Sequence, residues 1–333
     1  MRNHLLIILS ALILLTACQQ DAEQALSEKT TDSFPKEEVA VPAFNADSAY
    51  HFVQQQVDFG PRVPNTSAHL ATADFLRKKL ENYGAEVQTQ SFEAPAFDGT
   101  PLALQNIIAS FNPKASKRIL LAAHWDSRPF ADKDDERSQE PIDGANDGAS
   151  GVGILLELAR LFQQQPPEVG VDIILFDGED YGEPEGHHQT SESGNQVWWC
   201  LGSQYWSENK HQKNYIAYYG ILLDMVGAEG ARFYREGVSM RAAPSIVKKV
   251  WGQAQSLGHG RYFVYENSPE IVDDHIYVNY NAKIPMIDII DYAPGTDAYF
   301  PAYHHTHEDN MELISKETLK AVGETVASVV YHE

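Results

Sequence analysis

Six short segments of the 333-residue chain gather the residue types that move protons or hold metal ions. They are His124-Trp125-Asp126, Asn146-Asp147-Gly148-Ala149-Ser150, Asp177-Gly178-Glu179-Asp180, Asp224, Asp273-Asp274-His275 and His304-His305-Thr306-His307. Each alone has an ordinary explanation. Asp147 could cap a helix, Glu179-Asp180 could be a solvated turn, and the histidines could lie on the surface. Together they require another account. Carboxylates brought together without Lys or Arg between them repel one another unless a cation neutralises them. Oxygen and nitrogen donors, with no thiolate required, fit Zn²⁺ or a similar divalent ion. A metal centre flanked by acid–base residues is expected.

Such a centre needs elements that converge. Residues 47–56 and 67–83 have the apolar spacing of amphipathic helices, the second stopped by Gly84. Residues 86–92 and 104–111 read as strands, and 118–123 is a short apolar run of buried-strand type. A helix follows at 151–163, and strand-length apolar runs recur at 171–176, 216–223 and 284–290. A last helix covers about 315–330. Continuous apolar strands separated by helices predict one α/β domain. Its central sheet is mostly parallel and twisted, with helices on both faces. In such sheets ligands bind beyond the carboxyl ends of the strands, which is where the polar segments fall. Residues 181–209 form a long, polar, aromatic-studded stretch, expected to be a loop with a role at the site.

Composition narrows the partners. The chain carries 25 Lys+Arg against 47 Asp+Glu, a formal net charge of −22, which argues against binding nucleic acid. Hydrophobic residues make up 43% of the chain, enough for a substantial core. At the N-terminus, Arg2 precedes an eleven-residue apolar stretch at 5–15, too short to span a bilayer as a helix. It ends in Leu15-Thr16-Ala17-Cys18, which resembles the lipobox of bacterial lipoproteins. Residues 1–17 are thus expected to be a signal peptide and Cys18 the site of lipidation. Residues 18–43 then form a flexible acidic linker, and 44–333 the catalytic domain. The implied location is extracytoplasmic, facing the periplasm, anchored to the lipid bilayer through acylated Cys18, with the outer membrane preferred. Acylation of Cys18 leaves Cys200 without a disulfide partner.

Taken in order, the motifs resemble the zinc-dependent aminopeptidase-like (zinc exopeptidase-like) family, and within it the animal-type (type II) glutaminyl cyclases. The resemblance rests on His124-Trp125-Asp126, Asn146-Asp147-Gly148-Ala149-Ser150, Phe176-Asp177-Gly178-Glu179-Asp180, Leu223-Asp224-Met225-Val226-Gly227, Asp273-Asp274-His275 and His305-Thr306-His307-Glu308-Asp309-Asn310. It covers about residues 45–330. It implies one zinc per chain, held by Asp147, Asp180 and His305, with Glu179 as general acid/base. The second acid is more often Glu in the family, so Asp180 must approach the metal more closely. Glutaminyl cyclases convert an N-terminal Gln of peptides or proteins to pyroglutamate and release ammonia. By the resemblance, zinc polarises the γ-carbonyl, Glu179 shuttles the proton, and Asp224 and Asp273 steady the leaving nitrogen.

Ile271 and Phe300 match apolar walls of the cyclase pocket, and His304 stands where animal cyclases carry Trp. Either Trp198 or Trp199 supplies a further indole. His124, Asp126 and Asp274 support the residues that touch substrate or metal. The alternative is a zinc aminopeptidase, in which His124 and Asp224 would hold a second metal. The tail from His305 to Asn310 and the Asp273-Asp274-His275-Ile276 run favour the cyclase.

Overall fold

The computed structural model describes residues 39–184, 198–295 and 299–333. The expected signal peptide and the lipidated Cys18 lie outside the described residues, as does the linker up to residue 38. Residues from Val41 to Glu333 form one compact unit. Its centre is a six-stranded sheet of β1 (Glu86–Pro95), β2 (Pro101–Phe111), β3 (Arg118–His124), β4 (Gly170–Phe176), β5 (Gly220–Asp224) and β8 (Met286–Ile290). The spatial order is β1-β2-β4-β3-β5-β8. Strands β4, β3, β5 and β8 run parallel, whereas β1 and β2 form an antiparallel edge. A separate two-stranded sheet pairs β6 (Phe233–Arg235) with β7 (Phe263–Asn267).

The parallel strands are largely apolar because both faces are covered, with Asp172 in β4 and Asp288 in β8 as buried exceptions. Ile119, Leu121 and Ala123 of β3 join one core with the helices α1 (Ala46–Val57), α2 (Ser67–Asn82), α3 (Ala149–Gln164), α6 (Pro244–Ser256) and α8 (Lys316–Tyr331). Leu120 and Ala122 point the other way, as strand alternation dictates. They meet Trp206 of α4 (Leu201–Glu208), Tyr215, Leu222 and Met286 in a second core.

The sequence expectation holds for the fold class and for α1, α2, α3, α8 and most strands; it did not include β6, β7 or the helix Gly237–Ala242, and it departs from the structure at four further places. The run at 284–290 becomes a strand only from Met286, because Pro285 has no N–H to give the ladder. The run at 216–223 becomes β5 only at Gly220, and Ile216 lies 73% exposed. Helix α6 was not expected. The end of the stretch read as a loop at 181–209 is helix α4, while residues 185–197 lie outside the described residues.

Candidate active site

The chemical segments meet beyond the carboxyl ends of the parallel strands, some at a strand end or in the next turn, whereas Asp147, Asp273 and His304-His305 come from longer connections. His124 is the last residue of β3 and Asp224 the last of β5, while Glu179 and Asp180 sit in the turn beyond β4. Buried Asp126 shapes that turn: its carboxylate accepts the Glu179 N–H at 3.1 Å and the Asp180 N–H at 3.2 Å. The loop carrying Asp147 is held in the same way by Asp309, which accepts from the backbone of Asn146 (2.6 Å) and Asp147 (3.0 Å). Fully buried Arg62 donates to the carbonyls of Asp143 and Gly144 in that loop. Asp147 is not a helix cap. Gly148 occupies the N-cap of α3 with φ of 88°, which frees the Asp147 carboxylate for the site.

That carboxylate lies between imidazoles. His124 Nε2 is 3.0 Å from Asp147 Oδ1 and 3.1 Å from Asp224 Oδ1. On the other side His305 Nε2 is 3.8 Å from Asp147 Oδ2 and 3.1 Å from Asp180 Oδ1. The backbone of His305 is left-handed, with φ of 60°, a state that costs about 1–3 kcal/mol and tends to mark functional positions. The sequence expectation that no cation of the chain lies among the carboxylates is corrected by Arg128, whose Nη1 is 3.6 Å from Asp180 Oδ1. Arg128 is nevertheless committed to Asp132 through two hydrogen bonds of 2.8 and 2.7 Å. Among the described residues, none donates a hydrogen bond to either oxygen of the buried Asp180 carboxylate.

Electrostatics follow from this crowding. Burial pushes Asp180 well above the usual carboxylate range, and Asp147 pushes it further. Glu179 is raised well above its ordinary value by burial, with Asp180, Asp273 and Asp274 adding repulsion that His124 only partly offsets. Asp224 is raised by burial and by Asp147. Burial lowers His124, yet Asp126, Asp147 and Asp224 outweigh it and hold the ring well above the usual histidine range. Asp147 is lowered by His124 against its own burial. His305 is driven well below its ordinary value by burial and by His304, so it is the neutral imidazole that ligates metals. Two carboxylates and one neutral imidazole, one carboxylate having no donor of its own, form a donor set that fits Zn²⁺.

Around these groups a cavity of about 290 Å³ is lined by Ile271, Phe300, His304 and Trp199, with Asp147, Glu179, Asp180, Asp224 and Asp273 among its polar members. Trp199, not Trp198, lines it. Its indole is parallel to His305 (6.0 Å between centroids), lies under the Arg128 guanidinium at 4.6 Å, and donates to Glu183 at 3.2 Å. Gly182 makes room for it, since a Cβ there would lie 1.8 Å from the indole. His304 stacks on His305 at 3.6 Å and is pushed down to about 3 by burial and by Lys133. Buried Asp274 is raised to about 7 by burial.

The roles of several residues at the site were absent from the sequence reading, although Asp309 stood in its His305–Asn310 motif and Cys200 was named there only for lacking a disulfide partner. Arg62, Asp309 and Glu236 hold backbone from a distance in sequence. Cys200, buried and unpaired, donates its thiol to Glu179 Oε1 at 3.3 Å. Glu236 caps α5 (Gly237–Ala242) by accepting from Val238 and Ser239, and it also accepts the Ile271 N–H at 3.0 Å, which fixes a wall of the cavity. Burial raises its pKa, but His275 and the backbone donors outweigh this and bring it down to about 2. A depressed acid stabilises the fold above its unfolded value and loses that contribution as pH falls through about 2. Glu236→Gln is therefore expected to cost roughly 3 kcal/mol at neutral pH, checked by denaturant unfolding. An unchanged midpoint would remove this residue from the account of the wall.

Residues 106–330 match the sequence profile of peptidase family M28. The chain belongs to this family. Among solved M28-like structures, it is similar to Bacteroides thetaiotaomicron glutaminyl cyclase bound to N-acetylhistamine. That likeness is 53% identity and a TM-score of 0.85 over 88% of this chain and 100% of the other. It is equally similar to a Zn-dependent exopeptidase from Parabacteroides distasonis ATCC 8503, with 52% identity, TM-score 0.85 and the same coverage. The aminopeptidase YwaD of Bacillus subtilis (strain 168) is 28% identical over 283 residues. The match takes in 81% of this chain but 54% of that relative, so the chain spans about half its length. Membership and the zinc-dependent neighbour make this an enzyme of the M28 family and point to a zinc cofactor.

Proposed function

We propose that this M28 enzyme is a glutaminyl-peptide cyclotransferase, closing the N-terminal Gln of exported peptides and proteins to pyroglutamate. One zinc per chain would be held by Asp147, Asp180 and His305. What carries this reading is the pairing of Glu179 with Asp273 in the cavity. Their carboxyl oxygens lie within 4.8 Å of each other, and both groups are raised by burial toward the neutral form. Two acids beside one reacting position suit a step in which an amine must lose a proton and a leaving nitrogen must gain one. The similarity to the Bacteroides cyclase over the whole domain supports the same reading.

In the reaction the α-amine attacks the γ-carbonyl carbon, a C–N bond forms, and the bond to the side-chain nitrogen breaks to release ammonia. The nucleophile belongs to the same residue, so the cavity chiefly has to hold a compact conformer. Bound zinc supplies Lewis-acid polarisation of the γ-carbonyl. Glu179 takes one proton from the attacking neutral α-amine as the C–N bond forms and returns it to the departing nitrogen, which leaves as ammonia. Asp224 and Asp273 steady that nitrogen, while Trp199, Ile271 and Phe300 keep out the water that would hydrolyse the amide. Asp126 keeps Glu179 and Asp180 in register. The second reading is a zinc aminopeptidase. It is favoured by the close approach of His124, Asp147 and Asp224, which could hold a second ion.

The deciding experiment is mass spectrometry of a peptide with N-terminal Gln after incubation with the purified protein. Loss of one ammonia, abolished by a chelator, supports the cyclase. Release of free Gln and a shortened peptide overturns it and assigns His124 and Asp224 to a second metal. We further propose that the protein is a lipoprotein on the periplasmic face of the outer membrane, tethered by acylated Cys18. No helix among the described residues is long and apolar enough to cross a membrane. Cell fractionation checks the anchor: Cys18→Ser should move the protein out of the membrane fraction.

A further inference from the structure

Asp288 sits in the middle of β8, an otherwise apolar strand, and is fully buried. Its backbone N–H donates to Ser239 Oγ at 2.9 Å, but neither carboxylate oxygen has a donor among the described residues. Asp273 Oδ2 and His275 Nδ1 are also buried and unpartnered. Asp273, His275 and Asp288 each offer an atom within 4.8 Å of the other two. His275 does not supply the missing donor. Its Nε2 lies 3.2 Å from Glu236 and its Nδ1 3.9 Å from Asp288 Oδ2, too long for a hydrogen bond.

Two ionised carboxylates cannot share such a site at tolerable cost. One proton between them turns two unpartnered acceptors into a donor and an acceptor. We propose that Asp273 and Asp288 form an acid pair holding one proton, and that Asp288 is a positioning residue that shares this proton with the Asp273 carboxyl and so fixes it beside the cavity. The catalytic consequence rests on the cyclase reading; the pair itself does not. The groups facing it are Asp224 from β5, Glu236 before α5, Asp274 and His275 after Asp273, Glu179 beyond β4, Cys200 before α4, and His124 from β3. The acids among them favour retention of the proton, and Asp273 adds to the upward push on Asp288.

Infrared difference spectra of the zinc-loaded protein at neutral pH test the pair directly. Asp288→Asn should remove one neutral-carboxyl carbonyl band that shifts in D₂O, and Asp273→Asn should remove the same band. In the cyclase assay Asp288→Asn should lower kcat about 10- to 100-fold with KM within about twofold. Freed of its acidic partner, Asp273 ionises more readily, so the alkaline limb of kcat should move to lower pH. A missing band, or one that survives both substitutions, overturns the pair. Loss of a second metal equivalent from Asp288→Asn also overturns it, in favour of a cation among the three side chains. Band and metal content do not depend on turnover. A protein that keeps the band yet releases free Gln therefore retains the acid pair and loses the cyclase reading.

Discussion

Glu179→Gln is expected to fold, to bind zinc at the wild-type stoichiometry, and to turn over about 10²–10⁴-fold more slowly. The amide preserves the shape of the side chain and can still accept from the Cys200 thiol, so packing is little disturbed. What is lost is the capacity to take a proton from one nitrogen and return it to another. Burial and the neighbouring acids raise Glu179 well above an ordinary glutamate, which brings its proton affinity closer to that of the groups it serves. Turnover and zinc content measured on one preparation decide the matter. Retention of most activity would show that the base is misassigned, and loss of zinc would show that the residue acts on the metal instead.

Removal of the metal has the second large effect. A chelator should abolish turnover and lower the melting temperature, and added Zn²⁺ should restore both. A ligand present at 100 times its Kd stabilises by about 2.7 kcal/mol, which sets the scale. Without the ion, Asp180 faces Asp147 with no donor on either of its own oxygens. Its folded-state pKa is then raised above the unfolded value, so the folded state holds a proton that the unfolded chain releases. The sign follows: the metal-free protein loses stability as pH rises from the ordinary carboxylate range through the raised value. Asp309 and Asp274, both near 7, act in the same direction. Melting curves at about pH 5 and pH 8, with and without chelator, check this. A metal-free protein more stable at the higher pH would contradict the arrangement. Asp180→Asn should lose zinc binding yet blunt the pH dependence.

The sequence revealed the framework of this site because chemistry and hydrophobicity alternate so sharply along it. His124 and Asp224 end apolar runs, and Glu179-Asp180 follows another, so placing them at one edge of a parallel sheet needed only strand length and topology. The positioning roles, including that of Asp309 within its quoted motif, were hidden for a physical reason. Asp309, Arg62 and Glu236 bind backbone groups of distant segments, and no local spacing announces a partner that folding alone supplies. Asp288 was concealed within an apolar run that reads as a strand, where only burial of both its oxygens gives it meaning. The choice between Trp198 and Trp199 likewise depended on which indole meets His305, a matter of three-dimensional contact. Helix α4 was masked by the polar aromatic stretch before it.

The contact between Gly182 and Trp199 makes two positions seventeen residues apart behave as one hereditary unit. The cavity wall depends on an atom being absent. A side chain at 182 and the indole at 199 cannot both keep these positions, so the width of this wall is set by the two residues jointly.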